Sequence, residues 1–345
     1  MDTITHAISG AVIGAATALP GRERQGAGTI GQRALWGGLF AAFPDSDSIT
    51  SLFMDHFDYL IAHRGLTHSV VMLPIWAALL GFIASRFGKL KFTDMALLAA
   101  MALVAHICGD LITSYGTRMF APVWDAPLAW PIVFIIDPVF TLILLVGLVF
   151  STWKQAVMPA RVAGGVLLAY LALAAWNHNK AIEFGEHWAE TEGISSPVVI
   201  AFPQPLSTFN WKVVVVTGET YHRSYINLLA EERFKAGEDA AWVSRVWSTY
   251  RPVGAAHWQA YPKFPPESVT RDLAIRAWQQ EEFTGFRKFA LLPYVSEVSG
   301  TSERVCVWFT DLRFTMPELD HPFEYAMCRT GPEQWERQLD REERD

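Results

Sequence analysis

The sequence predicts a membrane α-helical bundle of five or six membrane helices followed by a soluble α+β domain. Three observations carry this prediction. Apolar residues make up 51% of the 345-residue chain but concentrate before about Trp176. Charge is dense only afterwards, with 17 Lys and Arg against 25 Asp and Glu from Ala181 onward. Short β-branched and aromatic runs bounded by Gly, Pro and polar residues appear only beyond Asn177, as strands require. The predicted division is a helical domain over residues 1–178 and a soluble mixed α/β domain over 179–345, the latter acidic and without a basic stripe. That balance excludes nucleic acid as a partner.

Six apolar runs define the first domain in order. Residues 4–19 are rich in Gly and Ala, as closely packed membrane helices are, and end at Pro20-Gly21. Residues 34–43 are too short to cross a hydrocarbon layer that needs about 20 residues, and Pro44 stops them. Residues 70–87, 95–112, 132–150 and 162–176 follow, with Asp137-Pro138 inside the fifth run. The basic loops 22–33, 86–91 and 154–161 fall on one side of alternating spans, provided the short second run counts as a crossing. The positive-inside tendency makes that side the cytoplasm. The N-terminus and the soluble domain are then extracytoplasmic. The N-terminus has no basic segment before its apolar run, so no removable signal peptide is expected. Cys108 reads as a small core residue, and Cys306 and Cys328 could pair if their domain faces an oxidising compartment.

Within the second domain, 213–216, 289–292 and 305–309 read as strands, and 240–250 and 268–283 as helices.

The polar residues of the apolar half stand out because ionisable groups in or near hydrocarbon persist where they pair, bind metal or line a wet cavity. His63-Arg64-Gly65-Leu66-Thr67-His68-Ser69 places two imidazoles, a guanidinium and two hydroxyls just before the third run. His6, Asp45, Asp47, His63, His68, His106, Asp110 and Asp137 all fall at outer ends of their runs. His6, His106 and Asp137 each lie about 12 or 13 residues from the cytoplasmic end, near 20 Å at roughly 1.5 Å per residue. The short second run delivers Asp45 and Asp47 to that level. His106 and Asp110 are four apart and so share one helix face, which Thr113 continues. Asp137 precedes a proline, which breaks the helix there and can aim its carboxylate inward.

Each feature has an ordinary reading too. A His-Asp pair at this spacing is commonly a hydrogen-bonded core pair, Asp-Pro is a turn signal, and Arg64 could be a headgroup-level anchor. Their meeting at one depth favours a metal site. Four His and four Asp without a thiolate suit Zn²⁺, or Mn²⁺ and Fe where carboxylates dominate, held as one or two ions. Such a site activates water for hydrolysis of a phosphodiester or ester. Arg64 would bind phosphate or stabilise charge, and Asp47 or Asp137 would serve as general base. A membrane lipid is the expected substrate. The alternatives are a metal-ion-binding transporter and a non-catalytic receptor or assembly factor.

The series Met1-Asp-Thr-Ile-Thr-His6, Pro44-Asp45-Ser-Asp47, His63-Arg64-Gly-Leu-Thr67-His68-Ser69, His106-Ile-Cys-Gly-Asp110-Leu-Ile-Thr113-Ser-Tyr115-Gly116-Thr117 and Ile136-Asp137-Pro138 resembles the YdjM-like family of membrane-bound metal-dependent hydrolases. Pro203-Gln-Pro-Leu and Asp311-Leu-Arg313-Phe extend the likeness into the tail. The resemblance implies a hydrolase of the bacterial inner membrane, akin to zinc-dependent phospholipases C, with those eight His and Asp residues as metal ligands.

Overall fold

The computed structural model describes residues 1–21, 28–88, 90–237, 239–301, 303–319, 321–331 and 334–339. Arg22, Arg24 and Lys89, on which the orientation expected from the basic loops partly rests, lie outside the described residues. The chain divides into one unit of Met1–Met54 with Ala62–Asn177 and another of Asp55–Ile61 with His178–Asp345.

In the first unit, Asp2 caps helix α1 (Thr3–Ala16) through the Thr5 amide. Thr29 and Gln32 form a reciprocal cap for α2 (Ile30–Ala42). These two helices touch backbone to backbone. A Cβ added to Gly10 would lie 2.1 Å from the Gly37 carbonyl oxygen, and one added to Gly37 would lie 2.2 Å from that of Gly10. Only the absence of both side chains allows this approach. Helices α4 (Leu73–Gly88) and α5 (Phe92–Leu111) pack in the same way, Gly81 against Ala96. Helix α6 (Pro138–Lys154) starts at a proline whose lost N–H has no intrahelical partner in any case. It packs on α7 (Met158–Thr191) where Gly147 meets Ala163. Phe40, Met95, Leu98 and Leu103 fill the core between α2, α4 and α5. Leu142, Val146, Val162 and Val166 are exposed on α6 and α7, as on lipid-facing surfaces.

Among the described residues, two helices are long and apolar enough to cross a membrane, α5 and α7, or three if the bent pair 56–68 and α4 is one span. This corrects the expected five or six. The reason is that polar caps shorten the apolar runs. Asp137 caps α6, so the run 132–150 becomes helical only from Pro138, and α1 and α6 hold 14 and 17 residues. Cys108 also differs from expectation, because it faces outward from α5.

The second unit contains two sheets. Strands β1 (Val198–Pro203), β2 (Asn210–Thr217) and β3 (Thr220–Asn227) form an antiparallel meander; β4 (Arg251–Pro252) and β5 (Gln259–Pro262) both pair with β3. Strands β6 (Pro293–Gly300), β7 (Arg304–Asp311), β8 (Glu324–Thr330) and β9 (Gln334–Gln338) form a second, antiparallel sheet. The run 289–292 is not a strand; α10 (Thr284–Phe289) ends there and β6 begins at Pro293. The run 240–250 contains α8 (Trp242–Thr249) and the run 268–283 contains α9 (Ser268–Gln279). Gly185, in the last part of α7, lies against Val199 and Val213 of the first sheet. The helix α3 (His56–Ala62) sends Phe57 into an aromatic cluster with Phe283, Phe286 and Tyr325. Cys306 and Cys328, opposite each other on β7 and β8, form a disulfide.

Candidate metal centre

Four local structures bring polar groups to one place. The close crossing of α1 and α2 sets His6 near the end of α2, where Pro44 turns the chain into a 3-10 stretch, Phe43–Leu52, that carries Asp45 and Asp47. The last two turns of α5 supply His106 and Asp110 from one face. The segment 63–69 supplies the remainder. Arg64 adopts a left-handed backbone with φ of 59°, a conformation costly for a residue with a Cβ. It reverses the chain so that His63 and His68 can approach the same cluster from different sides.

At the centre, His6 Nε2 lies 3.0 Å from Asp110 Oδ1. His68 Nε2 and His106 Nε2 lie 3.2 and 3.3 Å from Asp110 Oδ2, and 3.6 and 3.5 Å from Asp45 Oδ1. One ligand atom from each of His6, Asp45, His106 and Asp110 falls within 4.8 Å of the other three. The edge of a tetrahedron with metal bonds of about 2.0–2.1 Å is about 3.4 Å, so these separations suit donors around one cation.

The chemistry of the orphaned atoms tests the fit more sharply. His6 Nδ1, His68 Nε2, His106 Nε2 and Asp110 Oδ2 are buried without a hydrogen-bond partner. Buried polar atoms are normally satisfied, and the last three, from two elements and within 3.3 Å of Asp110 Oδ2, are costly where they gather. His106 Nδ1 sits 2.6 Å from the Ala41 carbonyl oxygen. It must donate there, which leaves Nε2 of the neutral ring as an acceptor aimed at the cluster, the arrangement that metal-ligating imidazoles adopt. Asp110 divides its oxygens. Oδ1 takes His6, the Arg64 guanidinium at 3.0 Å and the amino group of Met1, whereas Oδ2 faces the two other imidazoles. Gly109 leaves the space that the His6 ring needs, since a Cβ there would lie 3.0 Å from His6 Cε1. These residues fit a divalent cation.

Around this core is a wetter edge. His63 Nδ1 is 2.9 Å from Asp47 Oδ1, and Asp47 Oδ2 accepts from the Arg64 amide at 2.9 Å and faces His68 Nδ1 at 3.5 Å. The side chains of Asp45, Asp47 and His63 are 14%, 11% and 19% exposed, whereas His6, His68, His106 and Asp110 have no exposed surface. Burial opposes ionisation of Asp47, but the hydrogen bond and charge of His63, with His68 and the Arg64 amide, hold its carboxyl below the usual range. Asp45 is likewise held low; burial works against it, while His68, His106 and Thr3 outweigh burial.

Seven of the eight metal-site residues expected from sequence therefore come together in two layers, His6, Asp45, His68, His106 and Asp110 within and Asp47 and His63 at the edge. Asp137 is placed otherwise. Its Oδ1 accepts from the Phe140 amide and its Oδ2 from the Tyr170 hydroxyl, so both oxygens serve the start of α6. Arg64 is buried, donates to Thr113 Oγ1 at 3.1 Å and lies over the Tyr115 ring, which is not the environment of a headgroup anchor. Sequence reasoning did not single out Thr3, whose hydroxyl donates to Asp45 Oδ2 at 2.6 Å, or the Ala41 carbonyl. The latter has no sequence signal, because a backbone oxygen belongs to every residue type.

A family profile described as YdjM inner membrane protein matches residues 1–181, which include all of these positions. The uncharacterized protein YfhP of Bacillus subtilis (strain 168) is 29% identical over 126 residues, covering 35% of this chain and 37% of that relative. The match thus spans little more than a third of the relative's length. No solved structure matches the chain.

Proposed function

We propose that this chain, which belongs to the YdjM inner membrane protein family, is a membrane metallohydrolase acting on a phosphodiester or ester of a membrane lipid. The observation that supports it most is the set of three buried, unsatisfied donor atoms, His68 Nε2, His106 Nε2 and Asp110 Oδ2, converging beside a partly exposed carboxylate edge. Zinc is the proposed metal, since the donors are imidazoles and carboxylates without thiolate. Bound there, the cation would supply Lewis acidity and lower the pKa of water.

The chain's own groups have separable tasks in this reading. His6, Asp45, His106 and Asp110 hold the cation, with His68 completing the set. His106 is oriented by Ala41, and Asp110 is anchored by Arg64. Asp47 is the proposed general base, because its Oδ2 faces the cluster through His68 while Asp137 is engaged at the start of α6. His63, 2.9 Å from Asp47 Oδ1, steadies its ionised form and can pass the proton outward along the exposed edge. Arg64 positions Asp110 and stabilises negative charge rather than serving as a surface anchor. The transporter alternative is weaker, because the buried face of α5 beneath His106 is Leu103, Ala102, Ala99, Leu98 and Met95, an apolar wall without a polar relay.

The second unit is proposed to be extracytoplasmic, a placement that the Cys306–Cys328 disulfide supports. The test is metal content and phospholipid hydrolysis of purified protein beside His68→Ala and Asp110→Ala. Stoichiometric metal and metal-dependent hydrolysis, both lost in the variants, are expected. Equal, near-zero metal in all three proteins would overturn the reading. Cys306 and Cys328 should resist alkylation until reductant is added.

A further inference from the structure

The second unit contains a cavity of about 490 Å³ lined by Arg223, Arg233 and Arg251, together with His257 and the Tyr225 ring. Its walls come from distant stretches of chain. Arg223 and Tyr225 are two apart on β3 and share a face; Arg251 lies in β4, in register with Ile226 of β3; Arg233 lies between β3 and α8. The segment Thr315 to Glu318, after β7, closes another side.

Among the described residues, none of the three guanidinium groups of Arg223, Arg233 and Arg251 has a carboxylate partner within 4.0 Å, whereas Arg245, Arg271, Arg313 and Arg337 each have one. Glu318 is on the lining, but its carboxylate is already held by Arg245 Nε at 3.0 Å. Arg223 is fixed without being neutralised. Its guanidinium lies over the rings of Tyr225 and Tyr261, at 4.7 and 4.4 Å, and donates to Gln259 Oε1 at 2.7 Å. In a region with 25 acidic and 17 basic residues, three guanidinium groups around one concavity repel each other, and the lining carboxylate of Glu318 is engaged by a fourth arginine.

We propose that this cavity is a binding site for a phosphate-bearing anion of headgroup or sugar-phosphate size. Guanidinium forks match phosphate oxygens two at a time. The volume is within the range of organic ligand sites and exceeds what inorganic phosphate alone would fill. The aromatic walls and the hydroxyls of Ser248 and Thr249 suit the organic remainder. This site belongs to the second unit alone and does not rest on the hydrolase reading.

Titration calorimetry on the full-length, metal-chelated protein in phosphatidylcholine nanodiscs tests the proposal, with inorganic phosphate, glycerol 1-phosphate and phosphatidylglycerol vesicles as probes and pure phosphatidylcholine vesicles as control. The expected result is saturable binding of glycerol 1-phosphate or of the anionic vesicles. Arg251→Gln, or Arg233→Gln at an exposed position where folding is not at risk, should weaken it about tenfold or more, the size of a lost charge-assisted contact. Binding of the soluble ester assigns a free phosphate compound; binding of anionic vesicles alone assigns a lipid headgroup. No saturable binding of any probe, or equal affinity in wild type and both variants, would overturn the site. Because metal is removed throughout, this outcome is separate from the fate of the hydrolase.

Discussion

Asp110 in the helical unit and Asp311 in the sheet unit are both fully buried carboxylates, yet they are treated in opposite ways. Asp311 Oδ1 accepts from the Leu292 and Arg313 amides, and its Oδ2 from the Leu291 amide and Arg313 Nε. Nearby, the buried Lys212 ammonium donates to three carbonyls, of Leu312, Arg313 and Thr315, at 2.6 to 2.8 Å. Asp110 by contrast has one oxygen surrounded by cationic groups and the other left without a hydrogen bond among imidazoles that also lack one. Both residues stand in motifs of the same resemblance, so residue type and motif alone do not separate them. Saturation marks a charge used to hold a turn. Incompleteness leaves an oxygen open to a ligand.

The largest expected break of this contrast is Asp311→Ala. It takes the carboxylate away from buried Arg313 and leaves three amides unsatisfied, and should cost about 3–5 kcal/mol, read from urea unfolding followed by tryptophan fluorescence. Metal should separate the two regions next. A hundredfold excess over the dissociation constant stabilises a folded state by about 2.7 kcal/mol, and Asp45→Asn should lose most of that gain while melting normally in chelator. A denaturation curve unmoved by metal in both proteins would count against the cluster.

A finer change is Gly109→Ala. Its Cβ would press on the His6 ring at 3.0 Å, so metal affinity should fall about tenfold, as when groups supporting a ligand are altered. Competition with a chromogenic chelator would measure it. The smallest effect belongs to the exposed Asp55–Arg337 pair at 2.6 Å, which ties residues 55–61 to β9 within the sheet unit. Arg337 lowers the Asp55 pKa, chiefly through their hydrogen bond, so the folded state holds this proton less tightly than the unfolded chain. Its stabilisation is present above the ordinary carboxylate range and is lost as pH falls through the lowered value. Asp55→Asn should therefore cost well under about 1 kcal/mol at neutral pH and nothing in strong acid.

Much of the candidate metal centre was legible because its parts are local. The four-residue spacing of His106 and Asp110 puts both on one face wherever that helix lies, and Pro44 stops α2 next to Asp45. Asp137 lies with the start of α6 for an equally local reason. Asp-Pro serves a helix N-cap as readily as a ligand loop, and the run 132–150 looks like one span although its helix starts at Pro138. The number of spans was misjudged because apolar runs record hydrophobicity, whereas caps and prolines set helix length.

The sequence by itself determined an apolar, helix-forming half with a concentration of His and Asp, and an acidic half with strands, because composition and short-range spacing are read along the chain. Only the tertiary structure decided which charges are saturated and which are not. The glycine contact of α1 and α2, the Ala41 carbonyl on His106, the place of Phe57 among Phe283, Phe286 and Tyr325, and the meeting of Arg223, Arg233 and Arg251 all join residues from separate elements. Hydrogen bonds and ion pairs fall off within a few ångströms, so whether a buried charge is satisfied depends on neighbours in space that sequence order does not specify.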